Sequence, residues 1–338
     1  MSDLEVVADD VATEPSAVGR VAAVVFNPIK VDLEAIKAAV KIEEAAAGWG
    51  RTLWFETSEE DPGQGPAAQA LAAGVSMIVV AGGDGTVRAV AEAVRGHDVV
   101  LALLPSGTGN LLARNLDLTL DDLKGSIHSA FTGEDRKIDL AMVDVRRADS
   151  RTDTHAYLVM AGFGLDAKML ANTDDELKAK IGWLAYVKAI GLALRDKNQL
   201  HLRCTLDDGP ARSLRAHTVI VGNCGSLQGN VQLFPDAVVD DGLLDIVLLR
   251  PETLFSWFQI VGKIMWENGV LSRTRAGRSV RTKDVRALTY LTGRRFVLTL
   301  KGPEKLEIDG DEFGEAIAIR TWVEPGALTV RVPLESAE

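Results

Sequence analysis

The sequence lacks the features that build disulfide frameworks, zinc fingers or membrane-spanning helices. Only two cysteines, Cys204 and Cys224, occur in 338 residues, and their spacing matches no zinc or redox motif. We therefore expect two buried thiols in a reduced compartment. No apolar run reaches the roughly 20 residues that a membrane-spanning helix needs. The five histidines form no ligand or catalytic-triad pattern, and we interpret them as ordinary strand and surface residues.

Basic residues are fewer than acidic ones, and none occurs at the start of the chain. The formal net charge is −11, and the first 19 positions carry five acidic residues and no basic one. This segment has neither the cationic nor the apolar region of a signal peptide. We interpret residues 1–19 as a disordered acidic leader. The overall charge argues against nucleic acid as a partner, and we expect a cytoplasmic protein.

Apolar strands alternate with helical segments up to about residue 135. The predicted strands cover residues 21–26, 52–55, 77–80 and 99–104. Because these strands show no polar alternation, they indicate a parallel sheet with helices on both faces. Ligands of such sheets bind beyond the carboxyl ends of the strands. Asn27, Thr57 and two glycine-rich stretches all follow strand ends, so we expect them to form one site.

The pattern changes near residue 136, where strand-like stretches follow one another. They cover residues 137–146, 155–162, 200–206, 215–222, 243–249, 285–291, 295–301 and 316–321. We predict hairpin turns at residues 207–210 and 292–293, and two apolar helical segments at about 176–194 and 252–268. This succession indicates a second, largely antiparallel domain.

Two strands run straight into glycine-rich loops. The first glycine loop, residues 82–86, reads Gly-Gly-Asp-Gly-Thr, and the second, residues 105–110, reads Pro-Ser-Gly-Thr-Gly-Asn. Loops of this kind at a strand end expose backbone N–H groups that bind phosphates, although Gly82, Gly83 and Gly85 could be simple turn glycines. Thr86 either caps the next helix or contacts a phosphate. As an anion, Asp84 should act through Mg²⁺, water or loop N–H groups.

Together with the acidic turn, Asp309-Gly310-Asp311, these loops resemble the diacylglycerol kinase family. More narrowly, the chain resembles soluble bacterial lipid kinases related to sphingosine and ceramide kinases, from about residue 20 to its end. The resemblance implies an α/β ATP-binding domain of residues 20–135 plus about 325–338. It also implies a β-sandwich lipid domain of residues 136–324, with ATP and the lipid headgroup in the cleft between them.

The resemblance also assigns residues to the nucleotide. They are Asn27, Pro28, Thr57, Gly82, Gly83, Asp84, Gly85, Thr86, Gly107 and Thr108. Three positions depart from the family pattern. Arg88 replaces the usual Asn and either adds a cation to the site or faces solvent. Leu111 replaces an Asp, and Lys30 stands where glycine-rich residues are usual, as a phosphate contact or an exposed lysine.

Catalysis and metal binding are implied by two further segments. The family carries Asp-Gly-Glu where this chain has the acidic turn, so Asp311 is expected to accept the proton of the lipid hydroxyl, with Glu312 as the alternative. Residues 240–245 resemble the family's metal loop. There Asp241, with the carbonyl groups of Val238 and Leu243, is expected to bind Mg²⁺, although the segment alone would be interpreted as a β-turn.

A lipid kinase without a membrane span must dock on its substrate's membrane. The apolar segments 181–194 and 254–266 contain three and five aromatic or basic residues suited to an interface, or they simply cover a sheet. A basic cluster follows, formed by Arg273, Arg275, Arg278, Arg281, Lys283 and Arg286. We expect it to contact an anionic leaflet peripherally, rather than to be a solvated strand or part of the ATP site. A homodimer is compatible with the sequence.

These observations predict an ATP- and Mg²⁺-dependent lipid kinase. One alternative is an NAD kinase-like enzyme, because Gly-Gly-Asp-Gly-Thr alone is shared with NAD kinases. The pattern of the second glycine loop disfavours it. A second alternative is a nucleotide-binding regulator without transfer activity, which the departures at Arg88, Leu111 and Asp311 leave open. The sequence does not identify the lipid acceptor.

Overall fold

A computed structural model of the protein describes residues 19–164, 199–227, 231–250 and 288–334. Residues 1–18 of the predicted leader, both apolar helical segments and the basic cluster of residues 273–286 lie outside the described residues. Cys204 and Cys224 are free and buried, as expected.

The first half contains a parallel sheet with the strand order β4-β3-β1-β2. Its strands are β1 (Ala22–Phe26), β2 (Leu53–Glu56), β3 (Met77–Gly82) and β4 (Val100–Pro105). The helices are α1 (Leu33–Ala46), α2 (Gln64–Ala72), α3 (Asp84–Val94), α4 (Leu111–Asn115) and α5 (Leu123–Thr132). Every residue of β1 and β3 is buried, because hydrophobic clusters cover both faces of the sheet. The predicted parallel α/β fold is therefore confirmed.

The second half consists of strands that pair mainly in antiparallel fashion around a separate hydrophobic cluster. The strands are β5 (Glu134–Arg146), β6 (Thr152–Tyr157), β7 (Met160–Phe163), β8 (Leu200–Leu206), β9 (Arg212–Ala216), β10 (Thr218–Gly222), β11 (Ser226–Leu227), β12 (Val231–Gln232), β13 (Leu244–Leu249), β14 (Leu288–Gly293), β15 (Arg295–Ile308) and β16 (Asp311–Val332). This arrangement confirms the predicted antiparallel second region.

Strand β16 joins the two halves. It has 22 residues and pairs in antiparallel fashion with β15 and β5. Near its end, Thr329 and Arg331 lie opposite Val100 and Ala102 in a parallel pairing with β4. The register against β5 shifts between Glu324 and Leu328. One strand therefore begins at the acidic turn and ends in the parallel sheet.

Two local predictions are wrong. Thr86 does not cap helix α3, which begins at Asp84, because the N–H groups of Thr86 and Val87 already donate to the carbonyl oxygen of Gly83. No hairpin forms at residues 292–293, because β14 pairs with β13, whereas β15 pairs with β7, β8 and β16.

The carboxylate of Asp207 helps to explain why β15 leaves its predicted partner. Its Oδ1 atom accepts hydrogen bonds from the N–H groups of Arg294 and Arg295, at 2.8 and 2.9 Å. These bonds tie the start of β15 to the β8–β9 turn, where the hairpin predicted at residues 207–210 does form.

Candidate active site

The two glycine loops approach each other closely at the ends of β3 and β4. A Cβ atom added to Gly107 would lie 2.8 Å from the Cα atom of Gly83, closer than real side chains come to a backbone. Gly83 is also the N-cap residue of α3. Because the first N–H groups of a helix have no intrahelical partner, this junction presents bare donors. The close approach explains why residue 107 is glycine, whereas a Cβ atom on Gly83 would lie 3.1 Å from Nζ of Lys30 and 3.8 Å from the Cα atom of Gly107.

Asn110 holds the second glycine loop in shape. It adopts a left-handed conformation with φ 48°, which asparagine tolerates better than most residues. Its Oδ1 atom accepts from the N–H of Gly107 at 3.0 Å, and its Nδ2 donates to the carbonyl oxygen of Gly107 at 2.7 Å. The asparagine at the end of the sequence motif therefore closes the loop.

Asp84 contacts a loop N–H group, one of the three roles considered from the sequence. Its Oδ1 atom accepts from the N–H of Leu111 at 2.6 Å, at the start of α4. Burial raises the pKa of Asp84, the bond from Leu111 opposes that effect, and the nearby charge of Asp309 raises the pKa further. The Leu111 side chain itself is buried in the hydrophobic core. The leucine that replaces the family's aspartate therefore contributes to core packing.

Thr86 packs against the strand end below it. A Cβ atom on Gly82 would lie 2.7 Å from the Cβ atom of Thr86, and Thr86 is buried. The N-cap of α3 is Gly83 instead of Thr86. A side chain at residue 82 would therefore displace Thr86 and with it the first turn of the helix.

Lys30 reaches the first glycine loop from the end of β1. Its Nζ atom lies 3.1 Å from the place that a Cβ atom on Gly83 would occupy. The turn before it is fixed by Asn27, whose Oδ1 accepts from the N–H of Ile29 at 3.0 Å. The N–H of Thr57 donates to the carbonyl oxygen of Phe26 at 2.9 Å, beside the same strand end. Of the two alternatives for Lys30, the geometry favours a cation at the loop.

Asp309 anchors the acidic turn. Its carboxylate accepts hydrogen bonds from the N–H groups of Leu158, Val159 and Met160, at 2.9, 2.9 and 3.0 Å. Asp309 is buried, and burial raises its pKa while the charge of Arg88 opposes the rise. This aspartate therefore fixes the turn against the β6–β7 connection.

Asp311 is the exposed acid of the same turn. A Cβ atom added to Gly85 would lie 3.1 Å from its Oδ2 atom, which places the carboxylate beside the first turn of α3. Nη2 of Arg88 contacts the same oxygen at 2.9 Å. The alternative acid, Glu312, instead forms an ion pair with Lys305 of β15 at 3.3 Å. The predicted base and the predicted phosphate loop thus lie side by side.

The glycine loops and the acidic turn lie within two stretches of the chain that match known families. A profile of the diacylglycerol kinase catalytic domain matches residues 21–143. A profile of the YegS C-terminal NAD kinase beta sandwich-like domain matches residues 159–332. The chain belongs to the YegS-like lipid kinase family. Its diacylglycerol kinase catalytic domain carries the glycine loops, and the sandwich domain carries the acidic turn.

Relatives of this lipid kinase family cover nearly the whole chain. A protein of Pseudomonas aeruginosa named "Probable lipid kinase YegS-like" is 32% identical over 90% of this chain and 91% of its own length. A protein of the same name from Pseudomonas fluorescens is 30% identical over 90% and 92%. Both relatives therefore include the two matched domains.

Solved structures share the fold at low sequence identity. The crystal structure of a diacylglycerol kinase from Bacillus anthracis has a TM-score of 0.63 at 19% identity and covers 93% of this chain and 96% of its own. The yeast NADH kinase complexed with NADH has a TM-score of 0.52 at 10% identity, with coverages of 95% and 85%. The architecture is thus common to lipid kinases and nicotinamide nucleotide kinases.

The loop predicted to bind a metal is built around an aspartate that the sequence analysis missed. Asp139 of β5 is buried, and its carboxylate accepts from the N–H groups of Gly242 and Gly326, at 2.6 and 2.8 Å. Asp241 accepts from the N–H of Leu243 at 2.9 Å. Burial raises the pKa of Asp241, and the charges of Asp139 and Asp240 add to that rise. The sequence signal for Asp139 is a carboxylate within the otherwise apolar stretch of residues 138–143.

The described part of the chain offers limited ligands for a metal. No group of three or more histidine, cysteine, aspartate or glutamate residues that could hold a metal occurs among the described residues. The predicted set of one Asp241 carboxylate and the carbonyl groups of Val238 and Leu243 consists of hard oxygen donors, which suit Mg²⁺ if water completes its coordination.

The described ranges contain no helix that is long and apolar enough to cross a membrane.

Proposed function

We propose that this member of the lipid kinase family transfers the γ-phosphoryl group of ATP to a hydroxyl group of diacylglycerol or a related membrane lipid, with Mg²⁺ as the metal. The observation that carries the proposal is the position of Asp311 beside the first turn of α3. An acid that accepts a proton must lie next to the phosphate that is transferred. Here the acid lies next to the loop best suited to bind that phosphate.

The nucleotide would bind across the ends of β1, β2, β3 and β4. The first glycine loop would supply backbone donors for the phosphates, and Gly107 with Thr108 would contact them from the second loop. Lys30 adds a positive charge from the neighbouring strand. Asn27, Pro28 and Thr57 line the same edge and would face the remainder of the nucleotide. Asp84 contributes indirectly, because its bond to Leu111 sets the position of one loop relative to the other.

Transfer would proceed by attack of the lipid hydroxyl oxygen on the γ-phosphorus. As that bond forms, the bond from the γ-phosphorus to the oxygen that bridges it to the β-phosphate breaks, and ADP leaves. The hydroxyl proton passes to Asp311. A well-placed carboxylate accelerates such a step by about 10²–10⁴-fold, and the remainder of the catalysis depends on positioning and charge stabilisation.

The metal would be held by Asp241 and the carbonyl groups of Val238 and Leu243. When bound, Mg²⁺ supplies positive charge that neutralises phosphate oxygens. Asp139 would support this loop, because its carboxylate accepts a hydrogen bond from the backbone N–H of Gly242. The lipid would be taken from a membrane surface to which the enzyme attaches peripherally.

The test is phosphate transfer from labelled ATP to a panel of diacylglycerol, sphingosine, ceramide and NAD. We expect lipid phosphorylation, a fall in kcat of about 10²-fold or more for Asp311→Asn, and unchanged ATP affinity by calorimetry. Asp311→Glu restores the family's longer side chain and should retain or raise activity. Transfer to NAD alone would identify the NAD kinase alternative.

Two other outcomes would contradict parts of the proposal. ATP binding with no transfer to any acceptor would favour a nucleotide-binding regulator. A wild-type rate for Asp311→Asn would remove Asp311 as the base and direct attention to Glu312 or Asp309.

A further inference from the structure

Arg88 of α3 joins the first glycine loop to the acidic turn through three contacts. Its Nη2 contacts Oδ2 of Asp311 at 2.9 Å, and its Nη1 donates to the carbonyl oxygen of Ile308 at 3.0 Å. The guanidinium carbon lies 4.7 Å from the ring centre of Phe313. The Arg88 side chain is only 11% exposed, whereas that of Asp311 is 56% exposed. A nearly buried cation thus contacts the exposed acid from one side.

We propose that Arg88 is a positioning residue that holds the Asp311 carboxylate in the orientation needed to accept the proton; this inference rests on the proposed function. An exposed aspartate on its own can occupy several rotamers. A charge-assisted hydrogen bond from a guanidinium restricts that choice. Because Ile308 and Phe313 fix the guanidinium from two other sides, it can act as a rigid support.

The geometry leaves one carboxylate oxygen for the substrate. The bond from Arg88 engages Oδ2 of Asp311, and Oδ1 has no hydrogen bond recorded within the described part of the chain. Arg88 also stands one turn after Asp84 on the helix whose first turn forms part of the phosphate loop. The same helix therefore sets the position of both the phosphate and its proton acceptor.

The test compares Arg88 of α3 with Arg95, the C-cap residue of the same helix. Arg88→Met removes the charge and both hydrogen bonds, and Arg88→Lys keeps the charge. Arg95→Met is the matched control, because Arg95 also forms an ion pair with a carboxylate of β16, that of Glu324. We expect Arg88→Met to lower kcat by at least about tenfold with little change in the KM for ATP. Arg88→Lys should recover part of the loss, and Arg95→Met should retain the wild-type kcat.

A double-mutant cycle separates positioning from other roles. In an Asp311→Asn background, Arg88→Met should cause little further loss of the single-turnover rate, because its effect passes through the Asp311 carboxylate. Wild-type kcat in Arg88→Met, or an equal loss in both backgrounds, would overturn the proposal. A wild-type rate in Asp311→Asn would instead overturn the proposed function. If Arg88→Met does not fold, the kcat of Arg88→Lys decides, and a wild-type value would count against the proposal.

A second, independent observation concerns the outer face of β9, β8 and β15. His201 lies opposite Arg215, and Thr299 lies opposite Arg203. Together with Lys301, these residues line a shallow groove of about 390 Å³ that no acidic residue lines. None of Arg203, Arg215 and Lys301 forms an ion pair or side-chain hydrogen bond with a described residue.

This basic sheet face (His201, Arg203, Arg215 and Lys301) is unusual in a chain with a net charge of −11. Cations gathered on one sheet face with no acidic residue between them gain nothing from one another, so folding alone does not favour the arrangement. An exposed, flat set of cations matches a surface of negative charges. Strand β15 also leads from this face directly to the acidic turn.

We infer that the basic sheet face binds the anionic headgroups of a lipid leaflet. The inference rests on the proposed function, because a kinase of membrane lipids has to work at such a surface. Attraction of this kind acts within about 10 Å at moderate salt and weakens as salt is added. It does not require a membrane-spanning segment.

The test is sedimentation with vesicles of phosphatidylcholine, with and without phosphatidylglycerol. The variant carries Arg203→Glu, Arg215→Glu and Lys301→Glu. The control reverses the same number of charges on exposed residues of the first half, with Lys41→Glu, Arg51→Glu and Lys124→Glu. We expect the variant to bind anionic vesicles at least about tenfold less tightly at low salt, with a smaller difference at high salt.

Transfer to a short-chain soluble lipid, measured in parallel, should be retained by the variant. If the wild-type protein shows no such transfer, the proposed function is contradicted, and the vesicle-binding result stands separately. Vesicle binding that is unchanged in the variant, or weakened equally in the control, would overturn the inference. The inference would also be overturned if the variant bound RNA less tightly than the wild type does while its binding to vesicles was unchanged.

Discussion

The first glycine loop and the acidic turn meet at one place but are held in opposite ways. Close backbone packing limits the distance between the two glycine loops, because a Cβ atom added to Gly107 would lie 2.8 Å from the Cα atom of Gly83. The acidic turn depends on side chains, because Asp309 accepts three N–H groups and Arg88 contacts Asp311. The first is therefore sensitive to additions and the second to deletions.

The glycine loop and the acidic turn need accurate positions for different reasons. A loop that binds phosphate must let the ligand approach the main chain, and glycine allows this best because it has no side chain. A proton acceptor needs a side chain whose direction is fixed, and fixing it takes further side chains. Helix α3 serves both needs, because its first turn belongs to the loop and Arg88 reaches the turn.

The largest expected effect comes from deleting the anchor of the acidic turn. Asp309→Ala leaves three N–H groups without their acceptor in a buried place. We expect the free energy of unfolding to fall by about 3 kcal/mol or more, and kinase activity to be lost with it. Denaturant unfolding measures the change. The control is Asp208→Ala, at a 95% exposed side chain paired only with Arg295, which should change stability by less than about 0.5 kcal/mol. Equal effects would contradict the anchor role.

An added methyl group should break the glycine contact with a smaller effect on stability. Gly107→Ala places a Cβ atom against the Cα atom of Gly83 and forces the loops apart. We expect a loss of about 1–3 kcal/mol in stability and an ATP affinity at least about tenfold weaker, measured by calorimetry. Gly83→Val should also weaken ATP binding in a folded protein.

Gly302→Ala is the control for these additions, because a Cβ atom there meets nothing within 4 Å. An ATP affinity that is unchanged in folded Gly107→Ala or Gly83→Val would contradict the phosphate-binding role of the loops.

The smallest expected effect is a dependence of stability on pH at the edge of the acidic turn. The ring of His155 packs edge-on against Phe313, with centroids 4.9 Å apart. Burial is the main cause that lowers the pKa of His155. The nearby charges are Glu92 and Asp153, which raise the pKa, and Arg147 and Arg88, which lower it further.

Because the folded pKa lies below the unfolded value of about 6.5, the contribution of His155 to stability is present above that pH. It is lost as the pH falls through the folded pKa. His155→Gln should flatten this part of the unfolding profile, whereas His97→Gln, at an exposed position, should not. Identical profiles for wild type and His155→Gln would contradict the assignment.

The sequence was informative where structure depends on neighbours in the chain. Unbroken apolar strands predict the parallel sheet, and glycines at strand ends predict the two loops, because both signals lie within a few residues. The Asp207–Pro210 hairpin is also local. The failed hairpin at residues 292–293 shows the limit, because Asp207, far along the chain, redirects the start of β15.

The side chains that organise the site could not be assigned from the sequence. Asp309 and Asp311 are one residue apart and chemically identical, yet one is buried in hydrogen bonds and the other is exposed. Arg88 contacts Asp311 across 223 positions, and no local pattern encodes such a contact. Asp139 was missed for the same reason, since its partners belong to two distant turns.

Strand β16 has a mechanical consequence. Its 22 residues would span about 70 Å if fully extended at roughly 3.3 Å each, and they form one continuous strand shared by the parallel sheet and the sandwich. A hinge motion that separated the two halves would have to break hydrogen bonds to β4 or β5, or bend the strand near Gly326, where its register shifts and φ is positive. Under the proposed function, we therefore expect nucleotide and lipid to enter through movements of side chains and loops, or through bending of β16 near Gly326.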